Sequence, residues 1–454
     1  MRISVIGTGY VGLVSGACFA ETGHDCVCVD VDLSKVERIN RGELPIHENG
    51  LQELLIRHVG TRLRATTNLA AAVRDSEITF IAVGTPFDGS RIDLSYVCEA
   101  ARQIGAALRD KKGYHVVVVK STVVPGTTDE VVLPELERAS GKRAGIDFGV
   151  GMNPEFLTEG VAIGDFMRPD RIVLGGIDAR SIDVQRQVYA AFAQTPTMAT
   201  NNKTAEMIKY TSNSVLATMV SFSNEIGNLC STLGGVDVAD VMRGVHLARY
   251  FTTTLDDGRS IKASISSFLW AGCGYGGSCL PKDTKALSAH GAAHGLAMPL
   301  LDAVIRTNLA QPARMIALLE RHFPALQGLK VAVLGLAFKE DTDDVRESPA
   351  ISIIKMLVER GVQVTAYDPI AQDAARVVLP RDVVYAPSLE AAVVDADAAL
   401  LVTRWAQFQR LPELLSQQAA PPLLIDGRRM LARDAYVRYE GIGLGSRETR
   451  EARS

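Results

Sequence analysis

Short runs of Val, Ile and Leu, bounded by polar residues or glycine, alternate with helical spacing along the first 200 positions; they cover residues 3–6, 26–30, 78–83, 116–119 and 172–174. Such runs suit strands covered on both faces, and strands interleaved with helices predict a parallel sheet between two helical layers. From about residue 201 these runs stop, and Met207, Ile208, Val215, Met219, Phe222, Ile226 and Leu229 recur near helical spacing. That periodicity predicts a long, mostly buried helix opening a helical middle region. Beyond Pro312 and a helix ending near Phe323, the alternation resumes with a strand over 330–335, a helix over about 349–360 and a strand over 362–367. The expected architecture is α/β: two doubly wound parallel-sheet domains, at 1–200 and 313–454, joined by a helical middle domain at 201–312 with a long central helix.

The two sheet domains rhyme. Val5-Ile6-Gly7 and Val333-Leu334-Gly335 each end a strand, and Asp30 and Asp368 each end the next one. In the first domain Gly7-Thr8-Gly9-Tyr10-Val11-Gly12 follows a strand and opens a helix running to about Thr22, with Gly23 as its stop. In that context the pattern is a Rossmann-like dinucleotide fingerprint: Gly7 makes the tight turn, Gly9 admits a pyrophosphate, and Gly12 lets helix and strand pack closely. Asp30 would accept hydrogen bonds from a ribose diol and repel a 2′-phosphate, so NAD is expected over NADP. The second domain is Rossmann-like in plan but carries Ala337 and Glu340 where Gly9 and Gly12 would align. A second dinucleotide is not expected there; a nucleotide diphosphate needs less of the fingerprint, and Lys339 could meet its charge. Open parallel sheets bind ligands beyond the carboxyl ends of their strands, which points to Thr85 in Gly84-Thr85-Pro86 and Thr122 in Lys120-Ser121-Thr122. Each threonine either lines the site or caps a turn.

Composition narrows the class. With 47% hydrophobic and 22% charged residues and a formal charge of −4, the 454-residue chain reads as a soluble globular protein with no basic run built for nucleic acid. The first positions read as a strand rather than a charged leader, and no apolar run approaches 18 residues, so no membrane partner and a cytoplasmic location are expected. Seven scattered cysteines, an odd number, argue against a disulfide framework, and no spacing suggests a metal site. Cys26 and Cys28 are expected to fill core, and Cys18, Cys98 and Cys230 to be inert. Residues 447–454 are charged and lack apolar anchors, which predicts a solvated tail.

Gly274-Tyr275-Gly276-Gly277-Ser278-Cys279-Leu280-Pro281-Lys282-Asp283 is the segment richest in chemistry. Its glycines keep side chains away from the thiol, and Pro281 suits the first turn of a following helix. Cys279 would then sit at a positive helix end, and with Lys282 nearby its thiol should ionise below its free value of roughly 8.5. In Asn153-Pro154-Glu155-Phe156-Leu157-Thr158-Glu159 two carboxylates stand four residues apart after a proline. One helical turn would put them on one side, as paired acids or as a solvated first turn. Glu206, Lys209 and Asn213 fall at i, i+3 and i+7, a polar stripe that faces water or lines a site.

Taken together, the glycine fingerprint, Asn153-Pro154-Glu155-Phe156-Leu157, the segment from Gly276 to Asp283, and Gly335-Leu336-Ala337-Phe338-Lys339 resemble the UDP-glucose/GDP-mannose dehydrogenase family, in the family's order, from Met1 to beyond Asp368. Asp165-Phe166-Met167-Arg168-Pro169-Asp170-Arg171 is similar to the segment of members acting on UDP-glucose, with those acting on GDP-mannose next. The resemblance implies Cys279 as nucleophile, Lys209, Asn213 and Asp283 holding the reacting hydroxyl and a water, and Thr122, Glu155 and Glu159 assisting hydrolysis. It implies NAD contacts from Val11, Asp30, Lys35, Thr85, Thr122, Glu159, Lys282 and Arg346. Sugar-nucleotide contacts would come from Glu155, Phe156, Leu157, Thr158, Glu159, Lys209, Asn213, Phe268, Leu269, Trp270, Ala271, Gly272, Gly276 and Lys339. Many relatives carry an arginine just before the Phe-Leu pair; here Ser267 stands there, with Arg259 the nearest upstream. A homodimer formed through the helical region and a supply of polysaccharide precursors are also implied.

Oxidising a primary alcohol to an acid takes two hydride transfers, and a thiolate would retain the aldehyde between them, giving two NADH per sugar. A two-electron hydroxyacid dehydrogenase would need no cysteine and release one. A non-catalytic nucleotide-sugar or redox sensor would keep the glycine loop while losing the chemical groups that this chain retains.

Overall fold

The computed structural model describes residues 1–445; the charged stretch at 447–454 lies outside the described residues. The chain divides into two units, Met1–Ser212 and Asn213–Ser454.

The first unit is built on β1 (Arg2–Ile6), β2 (Asp25–Val29), β3 (Leu63–Thr66), β4 (Ile78–Ile81), β5 (Val116–Val119), β6 (Gly149–Met152), β7 (Ile172–Gly176) and β8 (Thr197–Thr200), in the order β3-β2-β1-β4-β5-β6-β7-β8. The central strands β4, β5 and β6 are buried at every position, as a sheet covered by helices on both faces requires. Three strands escape a reading of apolar runs for different reasons. The edge strand β8 is mostly exposed and has threonine at both ends. The edge strand β3 alternates buried Leu63 and Ala65 with polar residues, and β6 is broken by Gly149 and Gly151, where a Cβ would stand 2.4 Å from Ser181 Oγ and 2.3 Å from Gln185 Nε2.

Most pairs in this sheet are parallel, but β6 and β7 pair antiparallel through Gly151 with Gly176 and Met152 with Gly175. An antiparallel return needs no helix crossing the sheet. The connection, residues 153–171, is therefore free to begin as an irregular loop at the carboxyl end of β6, and that loop carries both candidate acids ahead of the short helix Ala162–Met167.

The second unit holds a small hairpin, β9 (Thr252–Thr254) with β10 (Ser260–Lys262), and an all-parallel sheet of β11 (Lys330–Leu334), β12 (Gln363–Tyr367), β13 (Val384–Tyr385), β14 (Ala398–Leu401), β15 (Leu423–Asp426) and β16 (Tyr439–Gly441). Its order, β13-β12-β11-β14-β15-β16, repeats the plan of the first sheet. Asp368 shows how the copies diverge. It is 1% exposed and accepts from Leu336 N (2.7 Å), Ala337 N (3.1 Å), Ile370 N (2.9 Å), Ala371 N (2.8 Å) and Trp405 Nε1 (3.1 Å). Its carboxylate is thus committed to holding the strand ends, with no face left for a ribose. Asp368→Ala would strand these buried donors, and urea denaturation should show a loss of about 3 kcal/mol or more with NADH affinity unchanged.

The helix Asn202–Thr232 matches the predicted long helix in place but not in burial. Phe222 and Leu229 are each 55% exposed, and Met207 and Val215 are also exposed. Val215, Phe222 and Leu229 recur every seven residues and form one stripe, whereas Glu206, Lys209, Asn213, Ser221, Ser223 and Asn224 are buried. Periodicity identifies an apolar face, not what covers it.

Candidate active site

Space dictates the glycine-rich turn between β1 and the helix Tyr10–Glu21. Gly7 has φ +97°, and a Cβ there would stand 2.7 Å from Ala82 O; a Cβ on Gly12 would stand 1.9 Å from Gly7 O. A Cβ on Gly9 would meet nothing within 4 Å. Gly9 is also the helix N-cap and offers no side chain to the first turn, so the first N–H groups are left to an anion arriving over Gly9. Asp30, just beyond β2, accepts from Thr8 N (2.9 Å), Thr8 Oγ1 (2.5 Å) and Asp32 N (3.0 Å). Burial pushes its carboxyl up, but the hydrogen bonds from Thr8 and Asp32 and the Lys35 ammonium outweigh that and hold it below its ordinary value. An ionised acid beyond an open N-terminal turn fits NAD. Thr85 Oγ1 donates to Thr122 O at 2.8 Å, tying together the loops that follow β4 and β5.

The helical turn expected for Glu155 and Glu159 is absent: residues 153–158 carry no helix. Pro154 could start one, but Asn153 is locked to the sheet. Its N–H donates to Val119 O (2.9 Å), its Nδ2 to Val173 O (2.9 Å), and its Oδ1 accepts from Lys120 Nζ (2.8 Å) and Tyr189 Oη (2.5 Å). Glu155 instead folds over its own loop, accepting from Leu157 N (2.7 Å) and pairing with Lys209 Nζ at 2.7 Å; both side chains are about 5% exposed or less. Burial alone would raise the Glu155 carboxyl, but the Lys209 charge and hydrogen bond, the Leu157 N–H and the Lys120 charge together hold it below the ordinary carboxylate range. Lys120 is driven the other way, down to about 8, because burial outweighs the attraction of Glu155.

The segment 165–171 buttresses this loop. Asp165 Oδ2 accepts from Thr158 N (2.9 Å), and the Arg171 guanidinium lies 3.8 Å from the centre of the Phe156 ring. Buried Glu48, which local sequence does not single out, accepts from Gly160 N (2.7 Å), Ala162 N (2.8 Å) and Tyr10 Oη. It binds the end of the acid loop, next to half-buried Glu159, to the Tyr10 of the glycine fingerprint. The expected polar stripe on the long helix is buried and divided in purpose. Glu206 accepts from Gly126 N (2.6 Å), Thr128 N (2.8 Å) and Thr128 Oγ1 (2.7 Å), anchoring the loop beyond Thr122, and burial lifts its carboxyl to about 7. Lys209 goes to Glu155.

In the second unit Cys279 is the N-cap of the helix Leu280–Ala293, with Pro281 in the first turn, as the local sequence predicts. Its Sγ lies 3.5 Å from Ser278 Oγ. Cys279 and Cys98 are half-buried, and the other five free cysteines are buried. Asp283, one turn on and 1% exposed, accepts from Asn213 Nδ2 (2.6 Å) and Lys282 Nζ (2.7 Å). The charge expected to act on the thiol is therefore shared with a carboxylate. The glycines have a more specific task than clearing space around sulfur: a Cβ on Gly276 would stand 2.3 Å from Glu347 O, and one on Gly277, at φ +85°, 2.8 Å from the Phe338 ring.

Phe268 closes the turn Ser264–Phe268, where Ser267 Oγ donates to Ser264 O (2.8 Å). Leu269 and Ala271 are buried, so any ligand contact there falls to backbone; Trp270 stands edge-on to His246, and Gly272 is fixed by Asn224 Oδ1 (2.7 Å) and Gln311 Nε2 (2.8 Å). Lys339 follows β11, with Nζ 5.9 Å from the Phe338 ring centre, and Arg346 grips Asp344 through two guanidinium nitrogens. Arg428, beyond β15, donates to Val402 O (2.5 Å) and Gly274 O (2.7 Å), and Arg404, beyond β14, donates to Arg428 O (2.6 Å). These two arginines add positive charge beyond the carboxyl ends of β14 and β15, where open parallel sheets take their ligands. The signal available in sequence was only that each follows a strand end.

Residues 1–193, 203–310 and 332–433 match, respectively, the NAD binding, central and UDP binding domains of the UDP-glucose/GDP-mannose dehydrogenase family. The chain is 44% identical over 447 residues to UDP-glucose 6-dehydrogenase of Haloferax volcanii, covering 97% of this chain and all of that one. It is 43% identical over 371 residues to GDP-mannose 6-dehydrogenase of Azotobacter vinelandii, covering 81% of each. Among solved structures, a UDP-glucose dehydrogenase from the archaeon Pyrobaculum islandicum superposes with a TM-score of 0.88 at 39% identity, with 97% of each chain covered.

Proposed function

Because this chain belongs to the UDP-glucose/GDP-mannose dehydrogenase family, and is an NAD-dependent enzyme on that ground, we propose that it oxidises UDP-glucose to UDP-glucuronate in two successive steps on one bound sugar. The observation that carries the four-electron chemistry is a half-buried cysteine at a helix N-cap, one turn from a buried carboxylate that receives Asn213 and Lys282. A helix N-terminus favours thiolate.

NAD, bound at the glycine-rich turn as two molecules in succession, would supply one hydride acceptor for each oxidation. The chain's residues supply the rest. Asp283 holds the water that takes the alcohol proton, while Lys209 and Asn213 donate to the oxygen as negative charge develops. Cys279 Sγ adds to the aldehyde carbon to form a thiohemiacetal, and loss of the second hydride leaves a thioester. One water, assisted by Glu155 or Glu159 with Thr122, cleaves the carbon–sulfur bond to give the carboxylate and return the thiol. Lys339, Arg404 and Arg428 supply positive charge for the diphosphate.

A second substrate, GDP-mannose, is favoured by the 43% identity to an enzyme of that name. NADH release measured side by side with UDP-glucose, GDP-mannose and UDP-N-acetylmannosamine separates them, with UDP-glucose expected to give two NADH per sugar. One NADH per sugar would remove the four-electron scheme.

The stripe of Val215, Phe222 and Leu229 suits a second copy of this chain, and a homodimer is part of the proposal. Phe222→Glu should weaken self-association about 30-fold or more, read by sedimentation velocity.

A further inference from the structure

The mechanism leaves one buried cation without a task. Lys120 stands immediately beyond β5, is 3% exposed, and donates to Asn153 Oδ1 at 2.8 Å and to Tyr189 Oη at 3.4 Å. Asn153 lies two residues before Glu155, and its other polar groups are spent on β5 and β7 through Val119 O and Val173 O. The amide is thus clamped on three sides at the point where the acid loop leaves the sheet. Burying an ammonium is costly unless its charge is used. An all-valine strand ending in lysine would be better served, for stability alone, by an uncharged residue.

We propose that Lys120 is a positioning residue for the acid loop: its ammonium fixes Asn153, and through it the backbone that presents Glu155, and it holds Glu155 as an anion while Lys209 donates to the substrate oxygen. The groups facing this ammonium are the Asn153 amide, the Tyr189 hydroxyl, the Glu155 carboxylate and the Lys209 ammonium, from the loop after β6, the segment after the helix Ala179–Val188, and the long helix. A shared pair of cations lets one of them engage substrate without releasing Glu155 to take a proton. The inference deepens the role proposed above for Glu155 and rests on it.

The pH dependence follows from burial. Lys120 loses its proton near pH 8 in the folded chain, against about 10.4 in water. Turnover should therefore fall as pH rises through about 8. The experiment compares kcat and KM from pH 6 to 10 for the intact enzyme, Lys120→Arg, Lys120→Met, Glu155→Gln and the Lys120→Met/Glu155→Gln double variant, using whichever nucleotide sugar the intact enzyme oxidises. Lys120→Arg, whose guanidinium keeps its charge, should lose the alkaline fall and retain turnover within about 10-fold. Lys120→Met should lose about 30-fold or more in kcat with the KM for NAD unchanged, and little further in the Glu155→Gln background. Superimposable alkaline limbs for the intact enzyme and Lys120→Arg would overturn the proposal, as would a Lys120→Met loss that is undiminished when Glu155 is already glutamine. The arginine comparison stands by itself should Lys120→Met not fold. Full activity of Glu155→Gln would instead overturn the role of Glu155, a separate result.

Discussion

Cys279→Ser should lose about 1,000-fold or more in the rate of carboxylate formation while the chain folds as before. Serine is a good N-cap, so the helix Leu280–Ala293 keeps its start. What disappears is the proposed nucleophile: a hydroxyl in the thiol's place ionises far above neutral pH. Losing a nucleophile of this kind costs several orders of magnitude elsewhere in enzymology, with residual rate left by binding and oxyanion donors. In the proposed mechanism the first hydride transfer draws on Asp283, Asn213 and Lys209 rather than sulfur, so a single slow NADH per enzyme should still be seen under single-turnover conditions. Stopped-flow absorbance for NADH together with chromatographic quantitation of the acid checks both halves. Two NADH per sugar and acid produced at an undiminished rate would end the covalent mechanism.

Lys209→Met should act on stability and chemistry together. In the intact chain the pair it forms with Glu155 is almost fully buried, and Glu155 titrates below its ordinary value. A depressed carboxylate contributes stability above its unfolded value, roughly pH 4.3, and that contribution is lost as pH falls through the lower folded value. Without Lys209 the cost of burying the Glu155 charge outweighs Lys120 and the Leu157 N–H, the carboxyl is expected to rise above its unfolded value, and the sign reverses: stability is lost as pH rises. The gap between intact and variant chains should widen from pH 5 to pH 8, reaching about 3–5 kcal/mol for a stranded buried charge. Glu155→Gln added to Lys209→Met should close most of that gap. Turnover in the double variant should remain about 100-fold down or more, because the donor proposed for the developing alkoxide is still missing. A gap independent of pH, or turnover restored along with stability, would show that the pair is only structural.

Much of the fold was legible because its signals are local. Gly7 and Gly12 are demanded by atoms a few residues away or just beyond the adjacent strand, and Pro281 favours the first turn of a helix, which is why the thiol's place at a helix end could be read directly. The repeat of the two sheets could be read from matching strand ends and acids. The divergence between Asp30 and Asp368 could not: one stays at the edge beside an open glycine turn, the other is closed over by backbone donors and Trp405. The spacing of Glu155 and Glu159 predicts a helix that Asn153 prevents, since its side chain is held by Lys120 and by two strands distant in sequence.

The sequence by itself therefore determined the two largely parallel sheets, the glycine-rich turn and the place of Cys279 at a helix start, because each depends on the short-range geometry of strands, glycines and a proline. Tertiary structure alone decided which distant polar and charged groups meet: Lys209 with Glu155, Asn213 with Asp283, Glu48 with the acid loop, and Lys120 behind Asn153. These pairings depend on distances set by packing between residues 33 to 114 positions apart, and no local propensity encodes those distances.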